Sequence, residues 1–460
     1  MIPLTMAEIA DVVRGEVHGD PDLLVTGGTY LDSRAPLDGG LFVALVGEHV
    51  DGHDYAAGAH AVLGSRPTAA PTVVVPDPVV ALGLLAAEVV GQVDPVVVAL
   101  TGSQGKTGTK DYLAAVLGLL VGVGRVVATA GNNNNEIGVP LTLLRADPDT
   151  THVVVEMGAR GVGHVRELCR IASPDVGAVL NVGSAHLGEF GSREAIAQAK
   201  GEIVEALSRG GVAVLNADDP LVAAMGVRTQ AEVLTFGEAG DVAWRGVALD
   251  DLGRPSFELG YGDAWHPVRL LQTGAHQVAN AAAAAAMALA VGLPLTDVAT
   301  ALGEAREASP WRMEVHTRDD GLVVVNDSYN ANPDSMRAAL EALVAIGRAR
   351  ERRTVAVLGE MKELGPEHDS GHLAVGADAA RLGVDVVVVV GEVAAGIADG
   401  ARGAGDRTEV VVTAGRDEAL SWVRQNASAG DVVLVKASRG AALEWVADGL
   451  LEEPGGATAP

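Results

Sequence analysis

Apolar and polar residues along this chain follow two alternating patterns. Short continuous runs of mostly β-branched apolar residues predict strands that are buried on both faces of a sheet. Between these runs, apolar residues recur at helical spacing, as in 111–120 and 336–346. We predict strands at 96–101, 125–130, 152–156, 176–181 and 212–216, and further along at 322–326, 354–358, 384–390, 409–412 and 432–435. The alternation predicts an α/β protein with two mostly parallel, doubly wound sheets, the second of them Rossmann-like.

Other segments complete the predicted architecture. Residues 1–93 combine a helix at 6–13 with a short strand at 41–45 and polar, glycine-marked loops, which indicates a small α/β domain. Turn-separated runs at 233–271 predict a small antiparallel sheet appended to the central domain. The alanine-rich run at 281–286 continues in apolar residues and predicts a packed helix. We therefore predict domains at 1–93, 94–309 and 310–452, then a disordered tail at 453–460.

Composition narrows the class of protein. The 460 residues agree with about three domains, and the net charge of −27 argues against nucleic-acid or anionic-membrane partners. Cys169 is the only cysteine, so no intrachain disulfide can form, and we expect a small buried hydrophobe there. No apolar stretch approaches the roughly 18 residues of a membrane span, and a signal-peptide pattern is absent. We expect a cytoplasmic monomer that acts on small molecules.

A glycine-flanked turn follows the first central strand and precedes a helix, within Thr-Gly-Ser-Gln-Gly-Lys-Thr at 101–107. Gly102 and Gly105 let the backbone N–H groups turn toward an anion, Lys106 neutralises phosphate charge, and the Thr107 hydroxyl can hold Mg²⁺. The general phosphate-loop pattern has a glycine where this chain has Leu100, so the match is to a shorter variant. The alternative is a glycine turn that binds nothing.

Polar residues at the ends of neighbouring strands supply further candidates, because ligands of parallel sheets bind beyond the carboxyl ends of the strands. Glu156 ends an apolar strand, and since an unpaired buried carboxylate is costly, we interpret it as a Mg²⁺ ligand. His186 follows another strand, with a structural histidine as the alternative. Lys200 lies on a helix, where a solvated charge is the usual role. Arg34 and His53 are candidate anion contacts in the first domain, with solvated surface residues as the alternative.

These segments together resemble the Mur ligases of bacterial cell-wall synthesis over nearly the whole chain. The similarity lies in 101–107, 134–143, 325–333, 358–361, and 32–34 with 51–53. The resemblance implies three domains that bind a UDP-linked sugar peptide, ATP and an incoming amine. It implies ATP-dependent amide formation through an acyl phosphate, with D-alanyl-D-alanine joined to UDP-N-acetylmuramoyl-tripeptide. The sequence leaves open whether lysine or diaminopimelate is the third residue of that tripeptide.

The resemblance also implies roles for individual residues. The phosphates of ATP would be held by Gly102, Ser103, Gln104, Gly105 and Lys106. Thr107 and Glu156 would bind one Mg²⁺, and His186 a second, helped by a carbamylated Lys200. The nucleoside and domain-closing contacts would be His276, Asn280, Arg312 and Asp327, although Gln277 stands where asparagine is more usual. Substrate contacts would come from Ser33, Arg34, His53, Asn134, Asn135, Asn330, Asn332 and Ser438.

Two rival functions stay open from sequence alone. One is a sister ligase of the same architecture that adds a different amino acid. The other is a nucleotide-gated ATPase that makes no bond. For that rival we would expect no dependence on an acceptor, and no reason for Glu156, His186 and Lys200 to converge.

Overall fold

A computed structural model describes residues 1–183, 190, 192–306 and 309–452. Two predictions fall outside the described residues: a metal ligand at His186 and a disordered tail at 453–460. The described part of the chain forms a mixed α/β fold with three sheets of five or more strands. The α/β fold class predicted from the sequence is confirmed.

The first part of the chain builds a five-stranded sheet and a separate two-stranded pair. Its elements are β1 (Leu4–Thr5), α1 (Met6–Val13), β2 (Glu16–His18), β3 (Leu24–Val25), β4 (Thr29–Tyr30), β5 (Leu41–Val43), β6 (Ala61–Gly64), β7 (Thr72–Val74) and α2 (Pro78–Val93). The larger sheet has the order β2-β7-β6-β5-β4 and is parallel except for β2. A capping box between Thr5 and Glu8 starts α1 as its sequence predicts. Asp77 caps α2, whose first residue is a proline.

The central sheet has nine strands in the order β16-β15-β14-β13-β12-β11-β8-β10-β9. These are β8 (Val96–Thr101), β9 (Val126–Ala128), β10 (His152–Glu156), β11 (Val176–Val179), β12 (Val212–Asn216), β13 (Glu232–Phe236), β14 (Val242–Leu249), β15 (Pro255–Tyr261) and β16 (Ala264–Arg269). The antiparallel sheet predicted at 233–271, appended to the central domain, is confirmed for β14 to β16 but not for β13. β13 pairs in parallel with β12, and only β14 to β16 form antiparallel pairs at the edge of the same sheet.

Helices cover both faces of this central sheet. They are α3 (Lys106–Val121), α4 (Gly138–Leu143), α5 (His164–Ala172), α6 (Arg193–Lys200), α7 (Glu202–Glu205), α8 (Pro220–Ala223), α9 (Gln277–Ala290) and α10 (Leu295–Glu304). The alanine run lies in α9 and is fully buried against α3, where small side chains allow close approach. On the other face, α4 and α5 pack against α2. One apolar core therefore continues from the first sheet into the central one.

The last part of the chain forms a six-stranded sheet in the order β17-β18-β22-β19-β20-β21. Its strands are β17 (Glu314–Thr317), β18 (Val323–Asn326), β19 (Thr354–Leu358), β20 (Val386–Val390), β21 (Glu409–Thr413) and β22 (Val432–Lys436). Its helices are α11 (Pro333–Ala349), α12 (His368–Leu382), α13 (Ala395–Ala404), α14 (Arg416–Asn426) and α15 (Glu444–Leu451). All strand pairs are parallel except β17 with β18, and β17 had no sequence prediction. Short 3₁₀ helices lie at Gly52–Tyr55, Val123–Arg125, Ala224–Arg228, Gly365–Glu367, Glu392–Ala394 and Arg439–Ala441.

The junction between the second and third sheets is held by backbone contacts. Trp311 and Met313 adopt left-handed φ angles of 60° and 54°, which non-glycine residues rarely do. Trp311 accepts a hydrogen bond from the Tyr329 N–H at 3.1 Å, and the Met313 N–H donates to Asp327 at 3.2 Å. The loop after β18 thus fixes the entry of the chain into the third sheet. Within the described ranges, we find no helix with the length and apolarity needed to cross a membrane.

Candidate active site

The carboxyl ends of the central strands and the third sheet enclose a cavity of about 660 Å³. Both sides of the cavity carry residues singled out from the sequence. The predicted residues that line it are Ser103, Gln104, Gly105, Lys106, Thr107, Asn134, Asn135, Glu156, Lys200, His276, Asn280, Arg312, Asp327, Asn330 and Asn332. The fold therefore brings together residues that lie more than 200 positions apart in the chain.

The phosphate loop lies at the amino end of α3, where unpaired N–H groups of the first helical turn collect. Gly105 has a φ of +77°, and a Cβ atom there would lie 2.5 Å from Asn280 Oδ1. Glycine is thus required both by the backbone and by the close approach of α9. Asn280 is oriented by donating from Nδ2 to Gln277 Oε1 at 3.0 Å. The start of α9 therefore packs directly on the phosphate loop.

Lys106 lies across this loop and donates from Nζ to the Gly102 carbonyl at 2.7 Å. Burial lowers the pKa of Lys106, Glu156 opposes that shift, and the positive charge of Arg312 adds to it. An anionic ligand bound beside Lys106 would favour its charged form, and the attraction would be strong because the side chain is desolvated.

Glu156 is almost fully buried, with 1 % of its surface exposed. The Thr107 hydroxyl donates to its Oε2 at 2.9 Å, and Asn134 Nδ2 donates to its Oε1 at 2.8 Å. Thr107 and Glu156 thus place a hydroxyl and a carboxylate oxygen side by side next to the phosphate loop. This donor set fits Mg²⁺, which prefers oxygen ligands and completes its shell with phosphate and water.

Lys200 is the last residue of α6 and is 4 % exposed. The pKa of Lys200 lies well below its usual value because the side chain is buried and because Lys106 is nearby. Both effects disfavour an ammonium at this position. The solvated charge considered from sequence alone is therefore wrong for Lys200.

Asn181 is a functional position that the sequence predictions omitted. Its Oδ1 accepts hydrogen bonds from the Ser103 and Gln104 N–H groups at 3.0 Å each, and its Nδ2 donates to the Gln104 carbonyl at 3.1 Å. The side-chain amide therefore clamps the phosphate loop from the neighbouring strand end. A signal was present, because Asn181 lies just beyond β11, which pairs with β8.

Lys436 was likewise missed and lies on the opposite wall of the cavity. It is 2 % exposed and donates from Nζ to Asp327 Oδ2 at 2.7 Å and to the Asn330 carbonyl at 2.8 Å. The Arg312 guanidinium lies 4.2 Å from the centre of the Tyr329 ring. Its Nε is buried and, within the described residues, has no hydrogen-bond partner. Other lining residues that we did not predict include Asn132, Arg160 and His164.

Three predicted substrate contacts also have local structural roles. Asn332 caps α11 by accepting from the Ser335 N–H at 2.8 Å, and Asn135 accepts from the Gly138 N–H at 2.9 Å where α4 begins. Ser438 is buried, does not line the cavity, and accepts from the Lys362 N–H at 2.9 Å. Ser438 thus connects two loops, and its substrate contact stays a prediction. Asn135 and Asn332 still line the cavity.

The predicted contacts of the first domain, Ser33, Arg34 and His53, do not line this cavity. Arg34 is exposed and makes a two-pronged hydrogen bond to Asp32. His53 is buried, with Nδ1 at 2.6 Å from Asp51 Oδ1 and Nε2 accepting from the Ser65 N–H at 2.8 Å. Both ring nitrogens of His53 are thus engaged within the first domain, and the anion contact at His53 stays a prediction.

Comparisons with known proteins agree with this arrangement. Residues 100–288 match the Mur ligase middle domain, and residues 311–439 match the Mur ligase glutamate ligase domain. A relative from Mycobacterium tuberculosis, named UDP-N-acetylmuramoyl-tripeptide–D-alanyl-D-alanine ligase, is 46% identical and covers 98% of each chain. One of the same name from Escherichia coli is 36% identical, covering 98% of this chain and 99% of its own.

Solved structures give the same result. A crystal structure of MurF from Acinetobacter baumannii has a TM-score of 0.87 at 32% identity and covers 98% of this chain and 99% of its own. MurF from Thermotoga maritima, solved in complex with ADP, has a TM-score of 0.80 at 31% identity and covers 93% of this chain and 98% of its own. Full-length identity well above 30% and a shared fold lead to one conclusion: this chain belongs to the Mur ligase family.

Proposed function

We propose that this chain uses ATP to join D-alanyl-D-alanine to the terminal carboxylate of UDP-N-acetylmuramoyl-tripeptide, a step of peptidoglycan precursor synthesis. The observation that carries the proposal is one cavity in which Lys106, Thr107 and Glu156 face Arg312 and Asp327 of the third sheet. The names of full-length relatives support the same reaction. Such a cavity can hold a phosphate donor, a carboxylate and an amine together, which removes most of the entropy cost of their encounter.

ATP would bind with its phosphates at the amino end of α3, where Lys106 and the helix dipole favour negative charge. His276 and Asn280 line the same cavity beside the loop, and we assign them to the nucleoside. Asp327 and Arg312 reach it from the third sheet, so nucleotide binding would draw the second and third domains together. The Thermotoga maritima relative was solved in complex with ADP, which supports an adenine nucleotide as a ligand of this chain.

Thr107 and Glu156 would hold one Mg²⁺, and His186 with Lys200 a second. Bound Mg²⁺ disperses the negative charge that develops during phosphoryl transfer. An ammonium at Lys200 would repel a cation, so we propose that this lysine is carbamylated. The lowered pKa of Lys200 favours the neutral amine, which can attack CO₂ and release one proton to give an anionic carbamate. A ¹³C carbamate signal after incubation with labelled bicarbonate, absent in Lys200→Arg, would test this, and equal spectra would refute it.

In the first chemical step, the carboxylate of the tripeptide attacks the γ-phosphorus, and the bond to ADP breaks. Lys106 stabilises the transferred phosphoryl group. The amine of the dipeptide then attacks the acyl carbonyl, loses a proton, and phosphate leaves. The acyl phosphate would hydrolyse in water, so enclosure between the second and third domains protects it.

We also propose domain limits of 1–93, 94–309 and 310–452, with the first domain holding the UDP end of the substrate near Ser33 and Arg34. Asn134 and Asn135 would contact the peptide from the central domain, and Asn330 and Asn332 the dipeptide from the third. We propose a cytoplasmic monomer, which light scattering of the purified protein in solution can test.

The experiment that tests the function is phosphate release from ATP with one component omitted at a time. We expect release only when UDP-muramyl-tripeptide and D-alanyl-D-alanine are both present. Release with a single amino acid in place of the dipeptide would identify a sister ligase. Release without any acceptor would identify a nucleotide-gated ATPase and refute the proposal.

A further inference from the structure

We propose that Arg160 and Glu136 recognise the side-chain end of the third residue of the tripeptide and select diaminopimelate over lysine. Diaminopimelate ends in a carboxylate and an ammonium, whereas lysine ends in an ammonium alone. This inference rests on the proposed function and names the substrate class that the sequence left open.

Arg160, Glu136 and His164 form a charged cluster on one wall of the cavity. Arg160 and His164 line the cavity, and Arg160 has 65% of its side chain exposed. His164 Nδ1 accepts from the Arg160 N–H at 3.3 Å, so Nε2 carries the proton and lies 3.2 Å from Glu136 Oε2. His164 therefore connects the backbone at Arg160 to the carboxylate of Glu136.

The cluster lies on a firmly held part of the cavity wall. The Gly158 N–H donates to the Asn134 carbonyl at 2.7 Å, so the segments that lead to Glu136 and Arg160 run side by side. The turn after Arg160 is fixed by Glu202, a fully buried carboxylate that accepts from the Gly163 and Arg166 N–H groups. Both charged groups are thus presented from positioned backbone, as recognition requires.

The location suits the acyl substrate better than ATP or the dipeptide. Asn134 donates a hydrogen bond to Glu156, beside which the reacting carboxylate must lie. Glu136 lies two residues after Asn134, and Arg160 lies four residues after Glu156. The same wall continues into α4 and α5, which pack against α2 at the end of the first domain. A peptide that runs from the first domain to the phosphate loop therefore passes this cluster.

The chemistry of the pair matches a zwitterion. The closest approach of Arg160 Nη1 to Glu136 Oε1 is 4.0 Å, which is too long for a hydrogen bond. The guanidinium fork can therefore bind a carboxylate with two hydrogen bonds, while Glu136 receives an ammonium. Because the chain has a net charge of −27, it needs a local cation such as Arg160 to bind an anionic group. A lysine side chain would bring its ammonium next to Arg160 without a carboxylate to match it.

The test compares kcat/KM for two UDP-muramyl-tripeptides that differ only in diaminopimelate or lysine. We expect the native chain to prefer diaminopimelate by about 10- to 100-fold, the range for charge-assisted hydrogen bonds. Arg160→Gln should bring the two substrates to within about threefold of each other by losing the diaminopimelate reaction, and Arg160→Lys should retain part of the preference. Arg170→Gln is the matched control, because Arg170 is equally exposed on α5 but does not line this cavity.

Each outcome decides the inference. Equal use of both tripeptides by the native chain, or an equal loss for both in Arg160→Gln with unchanged ATP binding, would overturn it while leaving the ligase function intact. No product from either tripeptide would overturn the proposed function and this inference with it. Unfolding midpoints of the variants, measured beside the native chain, separate a local effect from a folding defect.

Discussion

Asn181 is predicted to set ATP affinity through the phosphate loop, because its side chain holds that loop in shape. Replacement by alanine removes its hydrogen bonds to Ser103 and Gln104, at 3.0, 3.0 and 3.1 Å. The Ser103 N–H keeps a second acceptor, the backbone carbonyl of residue 181 at 3.2 Å. The main loss therefore falls on the N–H and C=O groups of Gln104.

The magnitude follows from these contacts. Leaving partly buried backbone groups without partners costs about 1–3 kcal/mol, and a loop that has lost its clamp must be ordered by the ligand instead. If that cost appears in binding, the affinity for ATP falls by roughly 5- to 150-fold. The loss should appear mainly as a higher KM for ATP, since Asn181 acts through the loop.

Titration calorimetry with a non-hydrolysable ATP analogue measures this effect directly. Asn216→Ala is the control, because Asn216 ends the next strand and donates to the Leu180 carbonyl at 2.8 Å without lining the cavity. We expect its analogue affinity to stay within about twofold of the native value. Equal affinities for the two variants would refute the clamp, as would native affinity in Asn181→Ala.

Three other predictions follow from single sites. Glu156→Gln removes the buried charge beside Thr107 and should lower the ligation rate, measured as ADP release, by roughly 100-fold or more. The unfolding midpoint of this variant should stay near that of the native chain. Lys436→Met leaves Asp327 without its cation and should lower the free energy of unfolding, measured in urea, by about 3 kcal/mol or more. The double variant Lys436→Met with Asp327→Asn should recover part of this loss. No recovery would contradict the pairing. Burial raises the pKa of the Cys169 thiol to about 12, so at pH 8 only about one thiol in ten thousand is ionised. A thiol reagent should therefore modify Cys169 only after denaturation. Rapid labelling of the folded chain would contradict this.

The parts of the fold that were predictable from sequence are those in which one local signal decides. Continuous valine runs are hydrophobic on both faces, so β10, β12 and β19 were predicted with their observed limits. β17 was missed because three of its four residues, Glu314–Thr317, are polar and because the strand pairs only with β18, at an edge. β13 was grouped with the antiparallel strands, although it pairs in parallel with β12, because sequence patterns do not reveal which neighbour a strand pairs with.

The residues of the candidate site likewise fall into those that a local sequence signal marks and those that it does not. Lys106, Thr107 and Glu156 were predictable because a turn motif and a strand-end carboxylate each carry a stated chemistry. Asn181 and Lys436 act through partners 77 and 109 residues away, and no local pattern marks such contacts. Asn332 and Asn135 show the converse, since an asparagine before a helix has a capping role that a motif alone does not separate from ligand binding.

We infer that the chain activates a carboxylate by phosphorylation and then transfers the acyl group to an amine. The most direct measurement uses UDP-muramyl-tripeptide labelled with ¹⁸O in its terminal carboxylate, with ATP and D-alanyl-D-alanine, followed by mass spectrometry of product and phosphate. We expect one ¹⁸O atom in the released phosphate for each amide bond formed. Phosphate without ¹⁸O, or with ¹⁸O but no extended peptide, would contradict it.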